Sequence, residues 1–150
     1  MDTRFMLDAI ALAQKAADEN EVPVGAVVVK NGVVIGKGYN TCNADNSVFS
    51  HAECVAIKDA GNTIGDWRLD GCELYVTLEP CVMCTGAIIN SRISEVVFGA
   101  YDKTAGCIES KAELCKLNLA PPPKIYGGVK QAECERLITG FFERVRKDKT

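Results

Sequence analysis

The stretch "CELYVTLEPCVMCTGAIINSRISEVVFGA", residues 72–100, decides the fold. Residues 72–78 are rich in β-formers with little alternation, the pattern of a strand buried on both faces. Pro80 stands where a helix can open, because the first helical turn has no use for that residue's N–H. "CVMCTGAIINS" then reads as a short helix and "EVVFGA", 95–100, as a second strand. Two strands joined through a helix run parallel, with the right-handed crossover that strand twist imposes.

Upstream, "PVGAVVVKNGVVIGKGYN" places two β-rich runs either side of Asn31-Gly32, the strongest short hairpin signal. Residues 3–18 set Phe5, Met6, Ala9, Ile10, Ala13, Ala16 and Ala17 on one helical face. A polar loop spans Thr41 to Ser47. Ser50 and Glu53 match an S-x-x-E capping box, which predicts a helix over about 51–60 ending near Gly61. Downstream, "LAPPPKIYGG" leads into a short strand, and a last helix over about 131–147 buries Leu137, Ile138, Phe141 and Val145. No repeat or low-complexity linker interrupts the chain. The expectation is one domain, 1–150, with a three-layer α/β/α architecture and a mixed central sheet.

Of the 150 residues, 47% are hydrophobic and 25% charged, the balance of a folded globular chain. The longest apolar runs, such as "VGAVVV" at 24–29, are too short to span a bilayer. The N-terminus lacks the basic start and unbroken apolar run of an export signal, so a cytoplasmic protein is expected. Its eight cysteines (42, 54, 72, 81, 84, 107, 115 and 134) are then expected as reduced thiols. The net charge of −3 speaks against a nucleic-acid partner, which usually meets a basic protein. Arg144, Arg146, Lys147 and Lys149 could form a local basic patch, or simply a solvated helix end that offsets the dipole.

Cys81 and Cys84 lie three apart, on one helical face. The spacing suits metal ligation, redox exchange or plain burial. Only "SHAE", 50–53, has chemistry to join them, and it holds the sole histidine, His51. Both segments start a helix, where unpaired N–H groups and the dipole favour thiolates, the form that binds metal. His51, Cys81 and Cys84 would give zinc three ligands and leave the fourth tetrahedral position to water, as in catalytic sites. Water bound there approaches a pKa of about 7. Glu53, two residues after His51, could carry a proton from that water to a departing amine. The chemistry would be hydrolytic deamination of an amidine-like ring carbon. Other readings are available: Glu53 as the capping partner of Ser50, His51 as surface, a redox Cys pair, or a closed structural site completed by Cys54 or Cys42. The ordered combination H-x-E, strand, P-C-x-x-C is the compound pattern of zinc nucleobase deaminases.

"EVPVGAVVV", "HAE", "WRLDGCELYVTLEPCVMCTGAIINSRI" and "VVFGAYD" together resemble the bacterial tRNA-specific adenosine deaminases, members of the cytidine deaminase-like superfamily. The similarity runs from about residue 5 to 146. It implies a cytidine deaminase-like fold, one zinc per subunit on His51, Cys81 and Cys84, and Glu53 as proton shuttle. It also implies that Asn40 in "GYN" hydrogen-bonds the purine, that the Ala52 carbonyl accepts from the base edge, and that Asp102 in "GAYD" lies near the ribose. The partner implied is a tRNA anticodon stem-loop whose wobble adenosine becomes inosine, on a homodimer. Three stretches depart from the family pattern: "SVFS" at 47–50 where Asp-Pro-Thr-Ala is usual, Glu109-Ser110 where Gly-Ser is usual, and "PPPK" where Asn-His precedes the late strand. All three bear on substrate recognition and none on the zinc chemistry. Two alternatives therefore stand beside tRNA: a zinc deaminase of a free purine, nucleoside or related amino-heterocycle, and a non-catalytic zinc-binding subunit.

Overall fold

In the computed structural model, which describes residues 1–148, the hairpin turns at Asn31 and Gly32 with φ of 51° and 74°. Two successive positive φ values are what a tight hairpin turn matching strand twist requires. The hairpin strands are β1 (Gly25–Lys30) and β2 (Val33–Tyr39). β3 (Cys72–Leu78) pairs antiparallel with the other edge of β1, and β4 (Glu95–Ala100) and β5 (Lys124–Tyr126) follow in parallel. The sheet order is β2-β1-β3-β4-β5, so the expected mixed sheet is present and its 72–100 unit forms the parallel centre.

Alternation along the strands sorts the core into two layers. Val28, Leu74, Val76, Val96 and Phe98 point to the face covered by α3 (Ala52–Ile64) and α4 (Val82–Asn90). Val27, Val29, Tyr75 and Val97 point to the other face, covered by α1 (Arg4–Asp18) and by Cys134 of α5 (Gln131–Asp148). Helices on both faces of one sheet give the three layers. None of the described helices is long and apolar enough to cross a membrane. All eight cysteines are free thiols.

Three expectations need correction. The 41–47 segment is not all loop: α2 (Cys42–Asp45) forms a single turn, because the buried Glu21 carboxylate accepts the N–H groups of Asn43 and Ala44 at 3.0 and 2.9 Å. α3 continues past Gly61 to Ile64 and stops at Gly65, φ 70°, whose N–H returns to the Gly61 carbonyl at 2.8 Å. An interior glycine costs a helix only about 1 kcal/mol, and Ile64 packing on the core outweighs it. On α5 the buried residues are Cys134 and Phe141, whereas Leu137, Ile138 and Val145 are half-buried.

α3 sits unusually close to β2. A Cβ on Gly38 would stand 2.4 Å from the Ala52 carbonyl oxygen, and one on Gly36 the same 2.4 Å from that of Ala56. Both obstacles are helix backbone, which cannot rotate away. Gly38→Ala is therefore expected to push the start of α3 outward, costing about 1–3 kcal/mol in a denaturant titration, the range for overpacking. Because Ala52 follows His51, the same variant should bind zinc more weakly in a competition titration with a chelator.

Candidate active site

The carboxyl ends of β3 and β4 open into a crevice, the usual place for ligands in α/β sheets. The N-terminus of α3 enters it from one side and that of α4 from the other. His51 is the N-cap of α3 and Cys81 the N-cap of α4, both in extended backbone, and Cys84 lies one turn into α4. His51 Nδ1 is 3.5 Å from Cys81 Sγ and 3.4 Å from Cys84 Sγ. The three donor atoms lie within 4.8 Å of one another, the only such group among the described residues.

The distances fit zinc. Ordinary Zn–N and Zn–S bonds at tetrahedral angles put nitrogen and sulfur about 3.6 Å apart, close to both observed values. Cys54 Sγ approaches Cys84 Sγ at 3.6 Å but lies outside the three-donor group, and Cys42 is elsewhere, on α2. Neither belongs to the group of donor atoms that lie within 4.8 Å of one another. A hydrogen bond from the Cys84 thiol, reinforced by the Cys84 N–H and by His51, holds Cys81 down at about 5 despite its burial. Cys84 is correspondingly pushed up by its contacts with Cys54 and Cys81 and by burial.

Glu53 does not close a capping box. Ser50 Oγ donates instead to Asp45 Oδ2 at 2.7 Å, and α3 has no side-chain cap. The Glu53 side chain turns inward, is 4% exposed, and lines a cavity of about 210 Å³ together with His51 and Cys81. Burial lifts its carboxyl to about 7, with the Cys81 charge adding to the shift. Its own N–H and His51 pull the other way without cancelling it.

Asn40, Ala52 and Asp102 line the same cavity. Asn40 Oδ1 accepts the Cys42 N–H at 3.1 Å, which leaves its amide NH₂ as the group to offer a ligand. The Ala52 carbonyl oxygen is turned towards Gly38 of β2. Asp102 Oδ1 accepts the N–H groups of Thr104 and Ala105 at 3.0 and 3.1 Å, capping the turn after β4. A second, larger cavity of about 770 Å³ adjoins the first through Val22, Leu78 and Asp102, and Tyr101 and Phe142 line it.

Sequence reasoning missed Glu79. Its carboxylate is 2% exposed and accepts backbone N–H groups from Asp102 and from 108–110. The only signal was an acid between the end of the strand and Pro80. At the departures, Ser110 donates its hydroxyl to Glu79, Glu109 is exposed, and "SVFS" exposes Val48 and Phe49.

Residues 1–100 match the cytidine and deoxycytidylate deaminase zinc-binding region. The tRNA-specific adenosine deaminase of Bacillus subtilis is 40% identical over 149 residues, covering 99% of this chain and 92% of that protein. A solved structure from work on A-to-I editing by tRNA:A34 deaminases at the wobble position superposes with a TM-score of 0.88 at 38% identity, covering 91% of this chain and 99% of that one. The guanine deaminase of Bacillus subtilis aligns over less, 67% of this chain and 66% of its own, with a TM-score of 0.64 at 38% identity. A matching zinc-binding region and full-length relatives, on a crevice where one imidazole and two thiols meet at zinc spacing, place the chain in the tRNA-specific adenosine deaminase family of the cytidine deaminase-like superfamily.

Proposed function

We propose that this protein deaminates the wobble adenosine of a tRNA anticodon loop to inosine, releasing ammonia. The observation that carries the proposal is Glu53: a buried carboxylate beside the three-donor group, on the wall of a small cavity. At about 210 Å³ that cavity holds one heterocycle and little else, well below the roughly 300–1,000 Å³ of drug-sized pockets. His51, Cys81 and Cys84 would hold one zinc per subunit, which acts as a Lewis acid and makes water acidic enough to react near neutral pH. Glu53 takes the proton of the attacking water and returns it to the departing amine. Burial disfavours the charged form of this carboxyl and so helps it hold the proton between the two transfers. The Asn40 amide donates to a purine ring nitrogen, the Ala52 backbone forms the wall against the base edge, and Asp102 stands at the junction with the second cavity, where the ribose would pass. A structural zinc subunit has no need of a buried acid at Glu53.

The second cavity supports a polynucleotide substrate. It gives the flanking nucleotides room, and Tyr101 and Phe142 offer ring faces for stacking. A base that reacts must leave its stack, so space beside the reacting pocket is a requirement. Arg146 adds a basic side chain in the last turn of α5, and Arg144 donates to the Ala17 carbonyl at 3.0 Å and so steadies the end of α1. Lys149 lies outside the described residues. We place the protein in the cytoplasm, where its tRNA substrate and its reduced thiols belong.

We also propose a homodimer. Val48, Phe49 and Val82 are 66%, 71% and 63% exposed on the segments that carry His51 and Cys81, apolar side chains that a partner would cover. Light scattering should give twice 16.2 kDa, and Phe49→Asp should give the monomer mass.

A free purine is the second reading, favoured by the guanine deaminase alignment and the net charge of −3. Zinc-loaded protein should be offered an anticodon stem-loop carrying wobble adenosine, then free adenosine, adenine, guanine and cytidine. Inosine formed in the stem-loop alone supports the tRNA reading. Ammonia from a free compound with the stem-loop unchanged replaces it with the second.

A further inference from the structure

Glu79 sits between the end of β3 and Pro80, two residues before the ligand Cys81. Its Oε2 accepts the backbone N–H groups of Ile108, Glu109 and Ser110 at 3.2, 2.8 and 2.9 Å. Its Oε1 accepts the Asp102 N–H at 3.1 Å and the Ser110 hydroxyl. Four backbone N–H groups and one hydroxyl therefore converge on the two oxygens of a single buried carboxyl group. Gly106 makes room for it, since a Cβ there would stand 2.4 Å from the Glu79 Cδ. The 102–110 loop is thus wrapped around one buried side chain.

That loop supplies Asp102 and Ala105 to the wall of the reacting cavity, next to Glu79 itself. The Cys107 N–H also donates to the Pro80 carbonyl at 2.8 Å, so the loop is tied twice to the turn that carries Cys81. Both Glu79 oxygens already serve protein donors, which leaves no lone role for them in proton transfer. We infer that Glu79 is a positioning residue: it holds the 102–110 loop as the substrate-binding wall of the cavity and keeps that wall in register with the metal-ligand turn. The inference rests on the deaminase reading above. A carboxylate is required because only an acceptor on both oxygens suits donors arriving from both sides; an amide would present NH₂ to N–H groups.

The test is steady-state kinetics with the anticodon stem-loop, zinc analysis and amide exchange on Glu79→Gln and Ser110→Ala. In Glu79→Gln, KM should rise about tenfold or more with kcat held within about threefold, the signature of lost binding rather than lost chemistry. Zinc content should stay at the wild-type level. Amides of 102–110 should exchange faster while those of α3 do not. Ser110→Ala removes one donor and leaves the backbone intact, so KM should rise in the same direction by about threefold. A fall in kcat at constant KM overturns the inference, as does faster exchange of the loop with neither constant changed. If Glu79→Gln fails to fold, Ser110→Ala decides alone, and an unchanged KM overturns the inference. If wild-type protein leaves the stem-loop untouched, the tRNA reading has failed by itself, and the same KM comparison on whichever free base it converts decides the role of Glu79. Conversion of no compound ends both.

Discussion

Glu53→Gln is expected to cut deamination by a factor of about 10²–10⁴, the range for a positioned general acid–base group, while zinc remains bound at the wild-type level. Glutamine matches the shape of glutamate and can hydrogen-bond water, but it neither takes nor gives a proton at neutral pH. The stability effect has a definite sign. In metal-free protein the Glu53 carboxyl is lifted by burial from 4.5 to about 7. Below 4.5 it is neutral in both folded and unfolded chains and costs nothing. As pH rises through the window from 4.5 to 7 the unfolded chain ionises first, so the folded state loses stability, by about 3 kcal/mol at the upper end. Glutamine removes that penalty. Metal-free Glu53→Gln should therefore be more stable than wild type at pH 8 and nearly equal to it at pH 4, measured by denaturant unfolding. Retained turnover would remove Glu53 from the chemistry, and loss of zinc together with turnover would make it a ligand.

What the sequence made legible was local. The run from Cys72 to Ala100 carried its own punctuation in Pro80, and Asn31-Gly32 carried that of the hairpin. The three candidate donors stood out in the sequence because His51 and Cys81 begin helices and Cys84 follows in the first turn of one. The errors lie where a side chain chooses between near and distant partners. Ser50 and Glu53 have capping-box spacing, yet Ser50 turns back to Asp45 and Glu53 turns into the cavity. Spacing cannot distinguish these, since the winning partner of Ser50 exists only because Glu21 orders α2. Glu79 was silent for the same reason: its donors lie 23–31 residues further along the chain. Gly61 and Gly65 are equally plausible helix stops by type, and the burial of Ile64 selects the second.

Cys84→Ser should strip the protein of zinc and abolish deamination, whereas Cys54→Ser should keep both. The two sulfurs are only 3.6 Å apart, so the pair of variants separates ligand from neighbour. Cys84 belongs to the group whose donor atoms all lie within 4.8 Å of one another, and Cys54 does not. Hydroxyl oxygen is a far poorer partner for zinc than thiolate, and two remaining ligands hold the ion weakly. The loss should also register as stability, because zinc on these residues would join the starts of α3 and α4 only in the folded chain. Zinc at 100 to 1,000 times its dissociation constant contributes about 2.7–4.1 kcal/mol. For a chain of 150 residues, that corresponds to roughly 5–15 °C in Tm. Chelation of wild-type protein should lower Tm by that amount and added zinc should restore it, while Cys84→Ser should respond to neither. If Cys54→Ser loses zinc as completely as Cys84→Ser, the ion has four protein ligands and no position for water. A closed site of that kind could steady the fold but could not activate water, and the deaminase reading would fall with it.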